Sequence, residues 1–92
     1  MMEQSHLISR QIFEPKKTPM GSEILRYARQ LRGLTQAESA AHYGIEERTL
    51  RRWENREYSP KWNDVIGLVE DVYALNILEL IGKIHANNFD NN

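Results

Sequence analysis

Between residues 34 and 56 the chain places helix-start and helix-stop chemistry so close together that only two short helices and a tight turn fit. Thr35-Gln36-Ala37-Glu38 has the form of a capping box, in which the Thr35 hydroxyl accepts from the Glu38 amide and the carboxylate returns to the Thr35 amide. The helix it opens passes through Ala40 and Ala41 and meets Gly44, a residue that enters the left-handed conformation without a Cβ penalty. After Gly44-Ile45, Glu46 and Glu47 stand where acids favour a helix N-terminus. Leu50 and Trp53 then form an apolar pair three residues apart, with Arg48, Arg51 and Arg52 directed away from it.

Helical periodicity extends on both sides. Upstream, Ile24, Leu25, Ala28 and Leu31 share one face, with Ser22 as the expected N-cap and Gly33 as the expected stop. Downstream, Asn55 to Lys61 reads as a loop containing Ser59-Pro60. A fourth helix follows, with Val65, Ile66, Val69, Val72 and Tyr73 in register as a core face. Asn76-Ile77-Leu78-Glu79 has the form of a second cap-and-return box, and it opens a fifth helix carrying Leu80, Ile81 and Ile84. The expected organisation is an all-α, five-helix domain over residues 21–86. An extended arm over 1–20 precedes it, interrupted by Pro15 and Pro19, and a polar tail over 87–92 follows. Leu7, Ile8, Ile12 and Phe13 make the arm apolar enough to pack or to form a short strand, and both readings stay open.

Ninety-two residues supply one core and no more. The absence of cysteine excludes disulfides, thiolate metal sites and a thiol nucleophile, and a cytoplasmic location is expected. The most apolar stretch, Val65 to Ile84, is broken by Glu70, Asp71, Asn76, Glu79 and Lys83, so no membrane segment is expected. His6, His42 and His85 have no mutual metal-ligand spacing, and Glu70 and Asp71 diverge on a helix. With no phosphate loop, serine elbow or HExxH, neither an enzyme, a metal nor a cofactor is expected.

The net charge of -1 hides an asymmetry: residues 1–61 carry +3 and residues 62–92 carry -4. Nucleic-acid partners demand such a basic portion, because phosphate neutralisation supplies much of the affinity. Two short helices joined by a glycine turn are also the layout that presents a second helix to the DNA major groove. Glu47, Arg48, Thr49 and Arg52 occupy its N-terminal and outward positions, from which side chains reach base edges. Arginine bonds guanine O6 and N7 together, glutamate accepts from the cytosine amino group, and threonine meets the thymine methyl. Gln36, opening the first helix, is placed to reach a phosphate and to brace its neighbour.

Leu31-Arg32-Gly33-Leu34-Thr35-Gln36, then Gly44-Ile45, then Trp53-Glu54-Asn55 and Pro60, resembles the lambda-repressor and Cro-like helix-turn-helix family over about residues 22 to 82. The resemblance implies a five-helix bundle that binds double-stranded operator DNA as a symmetric homodimer, as a phage repressor, another transcription factor or an antitoxin. It implies that Gln36 clamps a phosphate and that Asn55 and Arg56 meet phosphates, with Arg51 and Lys61 in the same set and Lys16 and Lys17 as candidate contacts from the arm. It also implies a buried structural ion pair between Arg29 and Glu54. Ser39, Tyr43 and Glu46 depart from the family pattern, standing where leucine, a smaller aliphatic residue and a serine-like cap are usual.

The apolar excess of the fifth helix marks Leu80, Ile81 and Ile84 as the expected dimer interface. A rival function from another class is a protein-interaction module that holds a toxin or acts like an antirepressor, with DNA binding secondary.

Overall fold

The computed structural model describes residues 20–90, with side chains described for residues 20–87. The arm, with Lys16 and Lys17, and the end of the tail lie outside the described residues. Within them the chain forms five helices and no strand: α1 (Gly21–Arg32), α2 (Gln36–Tyr43), α3 (Glu47–Glu54), α4 (Trp62–Gly67, continued by a π-helical turn, Leu68–Val72) and α5 (Ile77–Asp90).

Local chemistry sets most of the boundaries. Thr35 Oγ1 accepts from Glu38 N at 3.0 Å and Glu38 Oε1 accepts from Thr35 N at 2.9 Å, so the capping box is complete. Gly33 and Gly44 end α1 and α2 at φ 69° and 91°, where a Cβ would be strained. Asn76 Oδ1 accepts from Glu79 N at 3.0 Å at the head of α5, while the carboxylate of Glu70 takes the neighbouring Ile77 N. α1 starts earlier than its sequence suggests. Met20 is its N-cap, and Ser22 is buried inside the first turn instead of capping it. α5 also runs on to Asp90, past the polar residues expected to form a tail, because no proline or glycine interrupts it after Gly82.

Ile24, Leu25, Ala28, Ala40, Leu50, Val65, Leu68, Val69, Tyr73, Ile77, Leu80 and Ile84 form one core. The π turn reshapes the α4 face. Tyr73 N donates to Leu68 O at 2.9 Å, and the wider turn carries Tyr73 to full burial while Val72 stays at the rim. Two expectations fail here. Leu31 is not on the core face but 49% exposed. Leu80 and Ile84 are not exposed self-association residues: they are buried against the rest of this same chain because α5 packs on α1, and Ile81 is half-buried beside them. Among the described residues of α5, the large apolar side chain left in solvent is Leu78, at 75%.

Glu54, 1% exposed at the end of α3, ties three helices together. Its Oε2 accepts from Arg29 Nε at 2.8 Å, and its Oε1 accepts from Arg29 Nη2 at 2.9 Å and from Gln36 Nε2 at 3.1 Å. Arg29 Nη1 donates to Leu34 O at 2.9 Å, and Arg26 Nη2 donates to the Glu54 carbonyl at 2.9 Å. The expected Arg29–Glu54 pair is thus present and bidentate, and hydrogen bonding to Glu54 raises the Arg29 pKa above its ordinary value.

A second polar link joins α2 to α4. The Tyr43 hydroxyl donates to Asp64 Oδ1 at 2.7 Å, and the ring lies where a Cβ on Gly67 would approach it to 2.9 Å. The hydrogen bond to Asp64, helped by burial and nearby negative charge, pushes the Tyr43 hydroxyl up to about 12.

Three stability predictions follow from these contacts. Glu54→Ala strands Arg29 in a mostly buried site and is expected to cost about 3–5 kcal/mol in urea unfolding; a loss within the ordinary range for surface changes would remove Glu54 from its structural role. Gly67→Ala is expected to cost about 1–3 kcal/mol through overpacking, yet to be neutral or stabilising in a Tyr43→Ala background, where alanine's helix preference acts alone. Equal penalties in both backgrounds would contradict the contact. Because the folded Tyr43 pKa is raised, its contribution is complete below the unfolded value of about 10 and is lost as pH climbs towards the folded value. Tyr43→Phe should reduce the alkaline loss in unfolding curves measured from neutral pH upwards, leaving the part that the raised Tyr73 hydroxyl contributes.

Candidate nucleic-acid interface

α3 has a short buried edge and a broad outer one. Leu50 is fully buried and Glu54 nearly so, and Trp53 packs against the core. With these residues facing inward, a 3.6-residue repeat turns Glu47, Arg48 and Arg51 outward, and all three are exposed. Thr49 and Arg52 are half-buried at the margins of the same face. Glu46 caps α3 through its backbone only: Thr49 N and Leu50 N bond to Glu46 O at 3.0 and 3.3 Å, with no side-chain cap. The departure from a serine-like cap therefore costs α3 a side-chain bond, and acidic residues at its N-terminus offset part of that.

The four candidate base-reading residues, Glu47, Arg48, Thr49 and Arg52, lie along one outer surface of α3, and their charges are partly shared. Arg51 Nη1 lies 3.9 Å from Glu47 Oε2 one turn earlier, an exposed pair worth little to stability. Arg52 Nε lies 3.8 Å from Glu57 Oε1, and its guanidinium stands 5.4 Å above the centre of the Tyr58 ring. Arg48 has neither kind of partner among the described residues.

The candidate phosphate contacts are distributed around this surface. Gln36, at the first position of α2, is half-buried and braces α3 through Glu54, which is one of the two tasks its position suggested. Asn55 and Arg56 are exposed immediately after α3, with Arg56 at φ 66°, and Lys61 is exposed at the head of α4. Trp62 is 52% exposed and shares a shallow surface pocket with Met20, Tyr58 and Pro60.

Four residues that matter to this arrangement were not singled out in the sequence. Arg26 holds the last carbonyl of α3, and its spacing of three from Arg29 on one helix was the available signal. Arg32 clamps the end of α4 by donating to the carbonyls of Tyr73 and Ala74, more than forty residues away in sequence, which no local pattern reveals. Glu57 and Tyr58 looked like ordinary loop residues, and only the fold-back after Arg56 brings them to Arg52. Among the described residues no group of His, Asp and Glu side chains is placed to hold a metal ion, and no helix is long and apolar enough to cross a membrane.

No curated protein and no solved structure matches the chain. A family model described as helix-turn-helix matches residues 25–68, from the middle of α1 to the start of the π turn in α4. That span contains the capping box, the glycine turn, the Arg29–Glu54 pair and all of α3. The chain therefore carries, over residues 25–68, a DNA-binding helix-turn-helix domain of the lambda-repressor and Cro-like family.

Proposed function

We propose that this protein is a sequence-specific regulator of transcription that reads double-stranded DNA with α3, and that it represses as a homodimer on a palindromic operator of phage or mobile-element type. The observation that carries the reading is the division of α3 into a buried Leu50–Glu54 edge and an outer surface bearing Glu47, Arg48, Thr49 and Arg52. A helix anchored on one side and studded with planar donors on the other suits base-edge recognition. Gln36, Arg51, Asn55, Arg56 and Lys61 surround that surface as phosphate contacts, which position the domain without reading sequence.

Dimerisation belongs to the proposal because of length. α3 has eight residues and is about 12 Å long, enough for only a few base pairs, so an operator of useful specificity calls for two copies. The self-association surface is not the buried Leu80 and Ile84 pair; Leu78 and Leu31 are among the exposed apolar side chains that could serve it.

Gel shifts on a sequence selected from random DNA test the assignment. Arg48→Ala and Arg52→Ala are expected to relax preference at individual base pairs, each good bidentate contact being worth about 1–3 kcal/mol. Arg56→Ala and Lys61→Ala should weaken binding evenly across sequences and flatten the salt dependence. Unchanged affinity and preference in the first pair of variants would show that α3 does not read bases, and a consensus without two-fold symmetry would remove the homodimer.

A further inference from the structure

The loop after α3 does more than connect it to α4. Arg56 takes φ 66°, and the chain then turns back on the last turn of the helix: Glu57 N donates to Arg52 O at 2.9 Å and Tyr58 N to the same oxygen at 3.4 Å. Both bonds converge on Arg52. The two side chains follow the backbone, with the Glu57 carboxylate 3.8 Å from Arg52 Nε and the Tyr58 ring beneath the guanidinium at 5.4 Å.

We propose that Glu57 and Tyr58 are positioning residues that hold the Arg52 guanidinium in a fixed plane, so that its two terminal amino groups read one guanine in each half-site. This rests on the reading of α3 as the base-contacting helix.

Three features favour orientation over stabilisation. An ion pair between side chains 34% and 56% exposed contributes little to folding, so its consequence must be sought elsewhere. Nε is the guanidinium nitrogen nearest the carboxylate, at the side of the fork, and Nη1 and Nη2 make no hydrogen bond among the described residues. Those are the two donors that meet guanine O6 and N7 end-on. The aromatic face restricts rotation of the guanidinium while leaving its edge free, which lowers the entropy lost when that edge bonds to a base. Arg51, paired along the helix with Glu47 instead, has no such platform among the described residues.

Glu57 also brings a negative charge close to where phosphates would lie, so it opposes DNA binding in general while favouring one base in particular. The two effects have opposite signs, which separates a positioning role from a purely electrostatic one.

The test is selection of bound DNA from a random pool at one fixed salt concentration. It uses the full chain and its Arg52→Ala, Glu57→Gln, Tyr58→Ala and Tyr58→Phe variants, with affinity for unrelated DNA measured alongside. Arg52→Ala identifies the base pair that Arg52 reads. At that base pair alone, Glu57→Gln and Tyr58→Ala are expected to reduce discrimination about two- to five-fold, the size of an exposed cation–π contact. Tyr58→Phe, which keeps the ring, should retain discrimination, and Glu57→Gln should bind unrelated DNA more tightly than the parent. Tyr58 is 59% exposed, so its variants are expected to fold, and matching unfolding midpoints verify this.

The proposal is overturned if Glu57→Gln strengthens binding to all sequences equally, or if Tyr58→Ala leaves the Arg52-dependent base pair unchanged. If the parent chain itself enriches no sequence, base reading by α3 fails and the positioning role fails with it; if the parent enriches a consensus that these variants share, only the positioning role fails.

Discussion

The placement of α3 depends on the Glu54 carboxylate. Burying an anion costs several kcal/mol unless each oxygen is partnered, and here α1 supplies a two-pronged guanidinium while α2 supplies an amide. The partners come from different helices, so satisfying the charge also fixes the helices relative to one another. Arg29 extends the link to the α1–α2 connection through Leu34 O, and Arg26 holds the backbone of the same glutamate. A hydrophobic contact at this junction would tolerate sliding, whereas a planar fork on a carboxylate tolerates little. The outer surface of α3 inherits its orientation from that buried geometry.

Two of the three departures from the family pattern become intelligible as parts of compensating sets. Ser39 stands where leucine is usual, and the space is shared with Tyr73, which the π turn drives into the core; burial raises the Tyr73 hydroxyl pKa, and the contact with Ser39 works against that rise. Ser39 also returns its own hydroxyl to Thr35 O at 2.9 Å, so its polar atom is satisfied inside the core. Tyr43, larger than usual, is accommodated because its neighbour on α4 is Gly67, and its hydroxyl finds Asp64. In each case a change of volume on α2 is matched on α4, the helix that packs over it.

The fold was legible because its signals are local. A capping box, two glycine stops and an apolar repeat act within a few residues of one another, and they locate α2, α3 and the turn between them. The fates of Leu31, Leu80 and Ile84 were not legible, because composition states how much apolar surface a helix carries and not which neighbour covers it. The apolar excess of α5 suggested a partner, yet α1 of the same chain buries Leu80 and Ile84 and leaves Leu78 outside. Of the candidate site, the outward residues of α3 follow from helical period alone. The ties of Arg52 to Glu57 and Tyr58 depend on one left-handed residue, Arg56, which carries no glycine or asparagine to announce it.

Charge along the proposed reading surface sharpens what kind of DNA binder this would be. Arg48, Arg51, Arg52, Arg56 and Lys61 stand among Glu46, Glu47 and Glu57, a net of two positive charges from five basic residues and three glutamates. Counterion release scales with the number of phosphates neutralised, at a slope of about 0.9 per phosphate on duplex DNA, so such a surface draws little affinity from the backbone. Discrimination must then come from base contacts and from the rejection of wrong bases by the glutamates. Under that regime, weak attraction to unrelated DNA favours selectivity, and the orientation of each arginine matters more than the number of arginines.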